Sequence, residues 1–144
     1  MLQIPITRFD PDLELPRQIR GGDAAADFPT AIAVKLEPGQ RETVPTGFGV
    51  ALPPGWAGLI LPRSGLAHKH GITVVNGPGL IDSGYRGEIK VILLNTSDET
   101  VLLERGQRIA QFAVTAVPDW SFTEVDELPA ETDSRGAQGF GSSG

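Results

Sequence analysis

Between Asn76 and Glu88 the chain reads Asn-Gly-Pro-Gly-Leu-Ile-Asp-Ser-Gly-Tyr-Arg-Gly-Glu, a glycine-rich stretch between two apolar runs. Within seven residues it holds two carboxylates (Asp82 and Glu88), an aromatic ring (Tyr85) and a guanidinium (Arg86). A carboxylate can take a proton, a ring can stack and a guanidinium can grip an anion. Loops carried by rigid sheets are where such chemistry concentrates. Taken alone, the stretch is read equally well as a plain hairpin connection.

Two other segments carry similar potential. Pro62-Arg63-Ser64-Gly65-Leu66-Ala67 puts a cation, a hydroxyl and a glycine where a strand should give way to a helix, and free N–H groups at such a junction favour anions. The chain closes with Arg135 followed by Gly139-Phe140-Gly141-Ser142-Ser143-Gly144. That ending formally matches G-x-G-x-x-G, but a dinucleotide-binding loop needs a following helix and here the sequence stops. Glycines and serines beside an arginine can wrap a phosphate chain, although the composition fits a disordered tail as well. His68 and His70 are the only histidines and point to different sides of a helix. With no cysteine to complete a zinc site, they are read as solvated polar residues. No serine sits in a nucleophile-elbow pattern.

The elements that must hold these residues are short strands. Ile32, Val34 and Leu36 alternate with Ala33, Lys35 and Glu37, and Phe48, Val50 and Leu52 alternate next with small residues. Trp56 to Leu61, Ile72 to Val75, Val101 to Leu103 and Ile109 to Val114 extend the pattern. Ile89 to Leu94 is nearly all apolar and should be central, with Trp120, Phe122 and Val125 as a last edge. One helix is expected, capped by Ser64, running through His70 and stopped by Gly71. The 144 residues, with 18 glycines and 12 prolines, suit one all-β sandwich or barrel. From Pro129 the composition turns small, polar and glycine-rich, so residues 1–128 are expected to form the β domain and residues 129–144 a flexible C-terminal arm.

A hydrophobic fraction of 40% and a charged fraction of 21% are those of a globular protein. The net charge of −6 argues against binding a nucleic-acid backbone, so an anionic ligand would need local cations. No signal peptide or membrane-length apolar run is visible, and the expected location is cytoplasmic. The glycosylation pattern Asn95-Thr96-Ser97 is read as chance.

Taken in order, five segments resemble the five motifs of the homotrimeric deoxyuridine triphosphatase (dUTPase) family. They are Ala24 to Phe28, Pro62 to Ala67, Gly79 to Glu88, Gly106 to Phe112, and Arg135 to Gly144. The resemblance implies a jelly-roll-like β fold, a homotrimer with active sites shared between subunits, and magnesium-dependent hydrolysis of dUTP to dUMP and pyrophosphate. That activity limits uracil entry into DNA and supplies dUMP for thymidylate synthesis. The C-terminal arm of one subunit would close over a site on the others.

By the same resemblance, Asp82 orients and deprotonates the water that attacks the α-phosphorus. Tyr85 stacks under the deoxyribose and leaves no room for a 2′-hydroxyl. Asn76 and the backbone of Leu80, Ile81 and Asp82 read the uracil edge. Arg63, Ser64, Gly65 and Gln111 hold phosphates, Arg135 reaches the γ-phosphate, and Phe140, with Gly141 and Ser142 beside it, covers the uracil. Lys90 follows the third motif and is a further substrate contact. Asp27 holds magnesium through water. The chain departs from the first motif at Ala25, where the family has glycine, so the backbone before Asp27 is expected to differ slightly. A dCTP deaminase needs catalytic residues with no place here. A noncatalytic trimer that binds nucleotide or a regulatory partner would not need Asp82, Tyr85 and Arg135 together.

Overall fold

The computed structural model describes residues 1–130. Eleven short strands and one helix make up its regular structure. A four-stranded antiparallel sheet runs in the order β2 (Ala25–Pro29), β11 (Arg108–Ala116), β6 (Trp56–Pro62) and β8 (Gly79–Ile81). A second sheet places β9 (Lys90–Asn95) between β4 (Arg41–Pro45) and β7 (Ile72–Val74). Two further antiparallel pairs complete the fold: β1 (Ile6–Arg8) with β5 (Phe48–Val50), and β3 (Val34–Leu36) with β10 (Val101–Leu103). The architecture is the all-β, jelly-roll-like one expected, with β9 central in its sheet.

Period-two burial explains how the sheets close on one core. Val34 and Leu36 are buried while Lys35 between them is exposed, and Val91, Leu93 and Asn95 face inward from β9. A single cluster joins Phe28, Phe48, Ile60, Ile72, Leu93, Leu103, Ile109 and Phe112 from both sheets and both pairs. Phe28 meets Phe48 edge-on at 5.9 Å and tilts against Phe112 at 5.2 Å. Asn95 is fully buried, and both ends of its amide are engaged. Its Nδ2 donates to the carbonyls of Leu36 and Glu99, and its Oδ1 accepts from the backbone and hydroxyl of Ser97. A side chain so enclosed is no glycan acceptor, in keeping with the chance match.

Four strands that the hydrophobic pattern did not reveal are β1, β2, β4 and β8. The helix α1 spans Ser64–His70 and ends at Gly71 in the left-handed conformation, as expected. Its N-cap, however, is Arg63 and not Ser64, and no side chain caps it. Trp120, Phe122 and Val125 form no strand. The Val117 N–H still donates to the Gly55 carbonyl at 2.8 Å, residues 118–130 form no strand among the described residues, and Trp120 and Phe122 meet edge-on with centroids 4.9 Å apart while both remain exposed. Ala25 lies extended in β2 opposite Ala113, so alanine meets no steric obstacle where the family has glycine.

Close packing at Gly58 ties the core to the sheet edge. A Cβ there would lie 2.5 Å from the Phe112 ring and 3.3 Å from Ile81 Cβ. Gly58→Ala should therefore lower stability by about 1–3 kcal/mol through overpacking. Denaturant unfolding checks this, and an unchanged midpoint would show that the ring moves aside freely.

Candidate active site

Cross-strand register brings the first group of polar residues together. Asp27 on β2 lies opposite Gln111 on β11, and Gln111 lies opposite Leu61 on β6. One residue beyond β6, Arg63 turns back over this row. Its Nε donates to Asp27 Oδ1 at 3.1 Å and its Nη1 to the Arg108 carbonyl at 2.9 Å. Arg108 closes the other side, its Nη1 at 3.3 Å from Asp27 Oδ2. The Asp27 side chain keeps 14% of its surface and Arg63 24%, so their attraction is only partly screened. Asp27 and Gln111 line a cleft of about 280 Å³ whose rim includes Arg17.

Ser64 and Gly65 are exposed at the start of α1, where the first N–H groups have no helical partner. With Arg63 beside them, they form a small cationic, donor-rich corner.

The second group lies on the opposite edge of the same sheet. The chain passes Asn76, takes a cis peptide at Gly77–Pro78 and pairs β8 with β6, matching Gly79 to Ile60, Leu80 to Leu59 and Ile81 to Gly58. β8 is the edge strand, so one side of its backbone faces away from the sheet, and Leu80 is 62% exposed. Asn76 Nδ2 rests 3.4 Å from the Cβ position of Gly79. Asp82 follows directly as an exposed carboxylate, and none of the ion pairs among the described residues involves it.

A tight turn then fixes Tyr85 relative to Asp82. The Tyr85 N–H donates to the Asp82 carbonyl at 3.1 Å, and Arg86 Nη1 donates to the carbonyls of Ser83 (2.6 Å) and Tyr85 (2.8 Å). Tyr85 Oη donates to the Glu88 carbonyl at 2.8 Å, leaving the ring 42% exposed. Lys90 opens β9, exposed, opposite Pro45.

These two groups do not meet within one chain. Ile81 sits beside Gly58, whereas Arg63 follows five residues later, one past the end of β6, and at strand rise that is about 16 Å. Asp27 and Gln111 are displaced further still, across β11. Arg135, Phe140, Gly141 and Ser142 lie outside the described residues.

The carboxyls held below their ordinary range are elsewhere. Asp10 is lowered by its hydrogen bond from Arg105, and Glu37 by Lys35 and then Thr100. No group of three or more His, Cys, Asp or Glu side chains among the described residues could form a protein-only metal cage. Asp27 is a hard oxygen donor of the kind that holds magnesium through water, and here both its oxygens are engaged by Arg63 and Arg108.

Three residues to which the sequence assigns no individual role also shape the site, Arg86 and Glu88 being marked only as members of the Asp82 stretch. Arg108 holds Asp27, Arg86 clamps the Asp82 loop, and Glu88 anchors it. Nothing in the local pattern marks Arg108, because its partner is distant in sequence and only strand register joins them.

The dUTPase family profile matches residues 12–144. The chain is 57% identical over 144 residues to the deoxyuridine 5′-triphosphate nucleotidohydrolase of Thermobifida fusca, covering 99% of this chain and 79% of that protein. The dUTPase of Staphylococcus bacteriophage 80alpha with dUPNHPP superposes with a TM-score of 0.91 at 25% identity, covering 100% of this chain and 99% of the other. A variant dUTPase from phage phi11 of S. aureus, described with a structural Mg(II) ion, shares the fold with a TM-score of 0.83 at 21% identity, over 90% and 100% of the two chains.

Asp27 is the hub of the first group. Asp27→Ala would leave two guanidinium groups without their counterion and should lower stability by about 1–3 kcal/mol. The midpoint of chemical unfolding reads this directly; no change would mean that the three charges are independent.

Proposed function

The chain belongs to the dUTPase family and hydrolyses dUTP, and we propose that Asp82 is its general base in a site assembled from several copies of the chain. The observation that carries this reading is the Asp82–Tyr85 turn at the free edge of β8, which presents a proton acceptor and a stacking ring from one self-bonded loop.

In the proposed reaction Asp82 accepts a proton from a water as its oxygen bonds to the α-phosphorus. The bond from that phosphorus to the bridging oxygen breaks, releasing pyrophosphate and leaving dUMP. Tyr85 lies under the deoxyribose, where a 2′-hydroxyl would collide with the ring. The outward edge of β8, at Leu80 and Ile81, together with Asn76, offers fixed donors and acceptors to uracil. Cytosine, with those positions exchanged, would leave them unpaired. Arg63, Ser64, Gly65 and Gln111 grip the phosphates, and Lys90 is a further contact. Arg135, Phe140, Gly141 and Ser142 enter the proposal on sequence resemblance alone, as the arm that covers the bound nucleotide. Magnesium, when bound, neutralises triphosphate charge. Asp27 would hold it through water, and the paired arginines keep that carboxylate fixed.

The separation along β6 supports a shared site. A base at the α-phosphorus and an arginine on the adjoining phosphates must be closer than about 16 Å. One chain's Asp82 therefore works with the Arg63 of another, in keeping with a homotrimer. No described helix is long and apolar enough to cross a membrane. We read the enzyme as cytoplasmic, limiting uracil entry into DNA and supplying dUMP.

Asp82→Asn should retain nucleotide binding while kcat falls by about 10²–10⁴-fold. Pyrophosphate release and a binding isotherm measure the two, and near-normal turnover would remove the base assignment. Chains carrying Asp82→Asn and chains carrying Arg63→Ala, each inactive alone, should regain activity when refolded together. A mixture as inactive as its parents would confine each site to one chain.

A further inference from the structure

Steric exclusion of a 2′-hydroxyl works only if the excluding ring cannot yield, so the groups that immobilise Tyr85 matter as much as the ring. We infer that Glu88 and Gly87 are positioning residues for Tyr85, and that through its ring they set the discrimination between deoxyribose and ribose. The inference rests on the proposed stacking role of Tyr85.

Glu88 is bonded at both ends. Its carbonyl accepts the Tyr85 hydroxyl at 2.8 Å, and its carboxylate Oε1 accepts the Gly47 N–H at 2.8 Å, in the turn between β4 and β5. That turn has no room to retreat. Gly47 has φ of +78°, and a Cβ on it would lie 2.8 Å from Leu13 Cδ1. Immediately after Glu88, the Ile89 carbonyl accepts both the Thr46 N–H (3.2 Å) and the Thr46 hydroxyl (2.7 Å), while the Ile89 N–H donates to the Phe48 carbonyl at 2.8 Å. Residues 88 and 89 are thus held to residues 46–48 by four hydrogen bonds, and the phenol is tied to that fixed backbone.

Gly87 supplies the surface beneath the ring. A Cβ there would lie 2.5 Å from Tyr85 Oη, 2.7 Å from Cζ and 3.1 Å from Cε2, so any side chain would lift the ring from its seat. The Gly87 carbonyl in turn backs onto Gly49, whose Cβ position is 3.1 Å away. Tyr85 is therefore held at its hydroxyl by Glu88 and backed at the hydroxyl end of its ring by Gly87. A ring freed from either constraint could move by the fraction of an ångström that admits a hydroxyl, and discrimination would fall while the base at Asp82 stayed in place.

Tyr85 is the only tyrosine, so ring-fluorinated tyrosine gives one fluorine resonance that reports its surroundings. Glu88→Ala and Gly87→Ala should shift that resonance and lower the ratio of kcat/KM for dUTP over UTP by about fivefold or more, the loss of one hydrogen bond being enough. Glu88→Gln keeps an oxygen that can accept the Gly47 N–H and should restore both readouts. Adding Glu88→Ala to Tyr85→Ala should change the ratio no further than Tyr85→Ala alone. A folded Glu88→Ala with the parental resonance, or with the parental ratio where Tyr85→Ala loses it, overturns the inference. A parental ratio in Tyr85→Ala itself would show that the stacking reading had failed, a distinct result. The Glu88 pair decides the matter even where Gly87→Ala does not fold.

Discussion

Strand β6 is hydrogen-bonded along both edges, to β11 on one side and β8 on the other, and the positions of both polar groups follow from that double pairing. A slip of one residue in either register would exchange the faces of a whole strand. With β11 it would carry Arg63 away from Asp27 and the Arg108 carbonyl, and with β8 it would turn Asp82 from the edge it now extends. Two contacts resist such slips. Phe112 fills the space over Gly58, and Ile81 packs beside the same glycine, so the absent side chain at one position serves both pairings. The core and the site are consequently not separable regions. The ring that completes the aromatic cluster with Phe28 also packs over Gly58 of β6, the residue paired with Ile81 just before Asp82.

Charge is distributed with equal economy. A chain of net charge −6 that must bind a triphosphate needs cations concentrated where the phosphates lie. In the proposed site Arg63 is such a cation, with Arg108 close by, but two unopposed guanidinium groups so close would repel each other. Asp27 between them lowers that repulsion and holds Arg63 at the sheet's end before any ligand arrives. The remaining donors at that corner are backbone groups and a hydroxyl, which carry no charge to be neutralised.

What the sequence makes legible follows the range of the interaction concerned. Val34 and Leu36, or Val91 and Leu93, announce strands because alternation is local and is set by burial on one face. α1 is legible from Gly71, whose left-handed conformation stops it. β8 is not, because Gly79, Leu80 and Ile81 alternate too briefly, and glycine at the pairing position opposite Ile60 reads as a turn. Trp120, Phe122 and Val125 mislead in the opposite sense: large apolar residues two and three apart read as an edge strand, yet the described chain offers them none. The segment bearing Asp82 and Tyr85 could be found by resemblance because its members are close in sequence. The ties of Glu88 to Gly47 and of Arg108 to Asp27 span the fold, and no spacing along the chain predicts them.

Placing the proposed base after β8 and the proposed phosphate grip after its neighbour β6, at opposite ends of that strand pair, has a consequence for how such a site evolves and fails. Within a chain, the loop at Asp82 is stiffened by its own hydrogen bonds and by the turn at residues 46–48, and the corner at Arg63 by Asp27 and the Arg108 carbonyl. Each half is thus preorganised without the other. Assembly then needs only to juxtapose two rigid halves, so little ordering is left for the moment of binding. A substitution that loosens one half leaves the geometry of the other intact, which is why effects on sugar selection and on phosphate binding should separate. In the symmetric oligomer proposed for this chain every interface would repeat the same juxtaposition, so each chain would serve two sites, presenting its base to one and its arginine to the next.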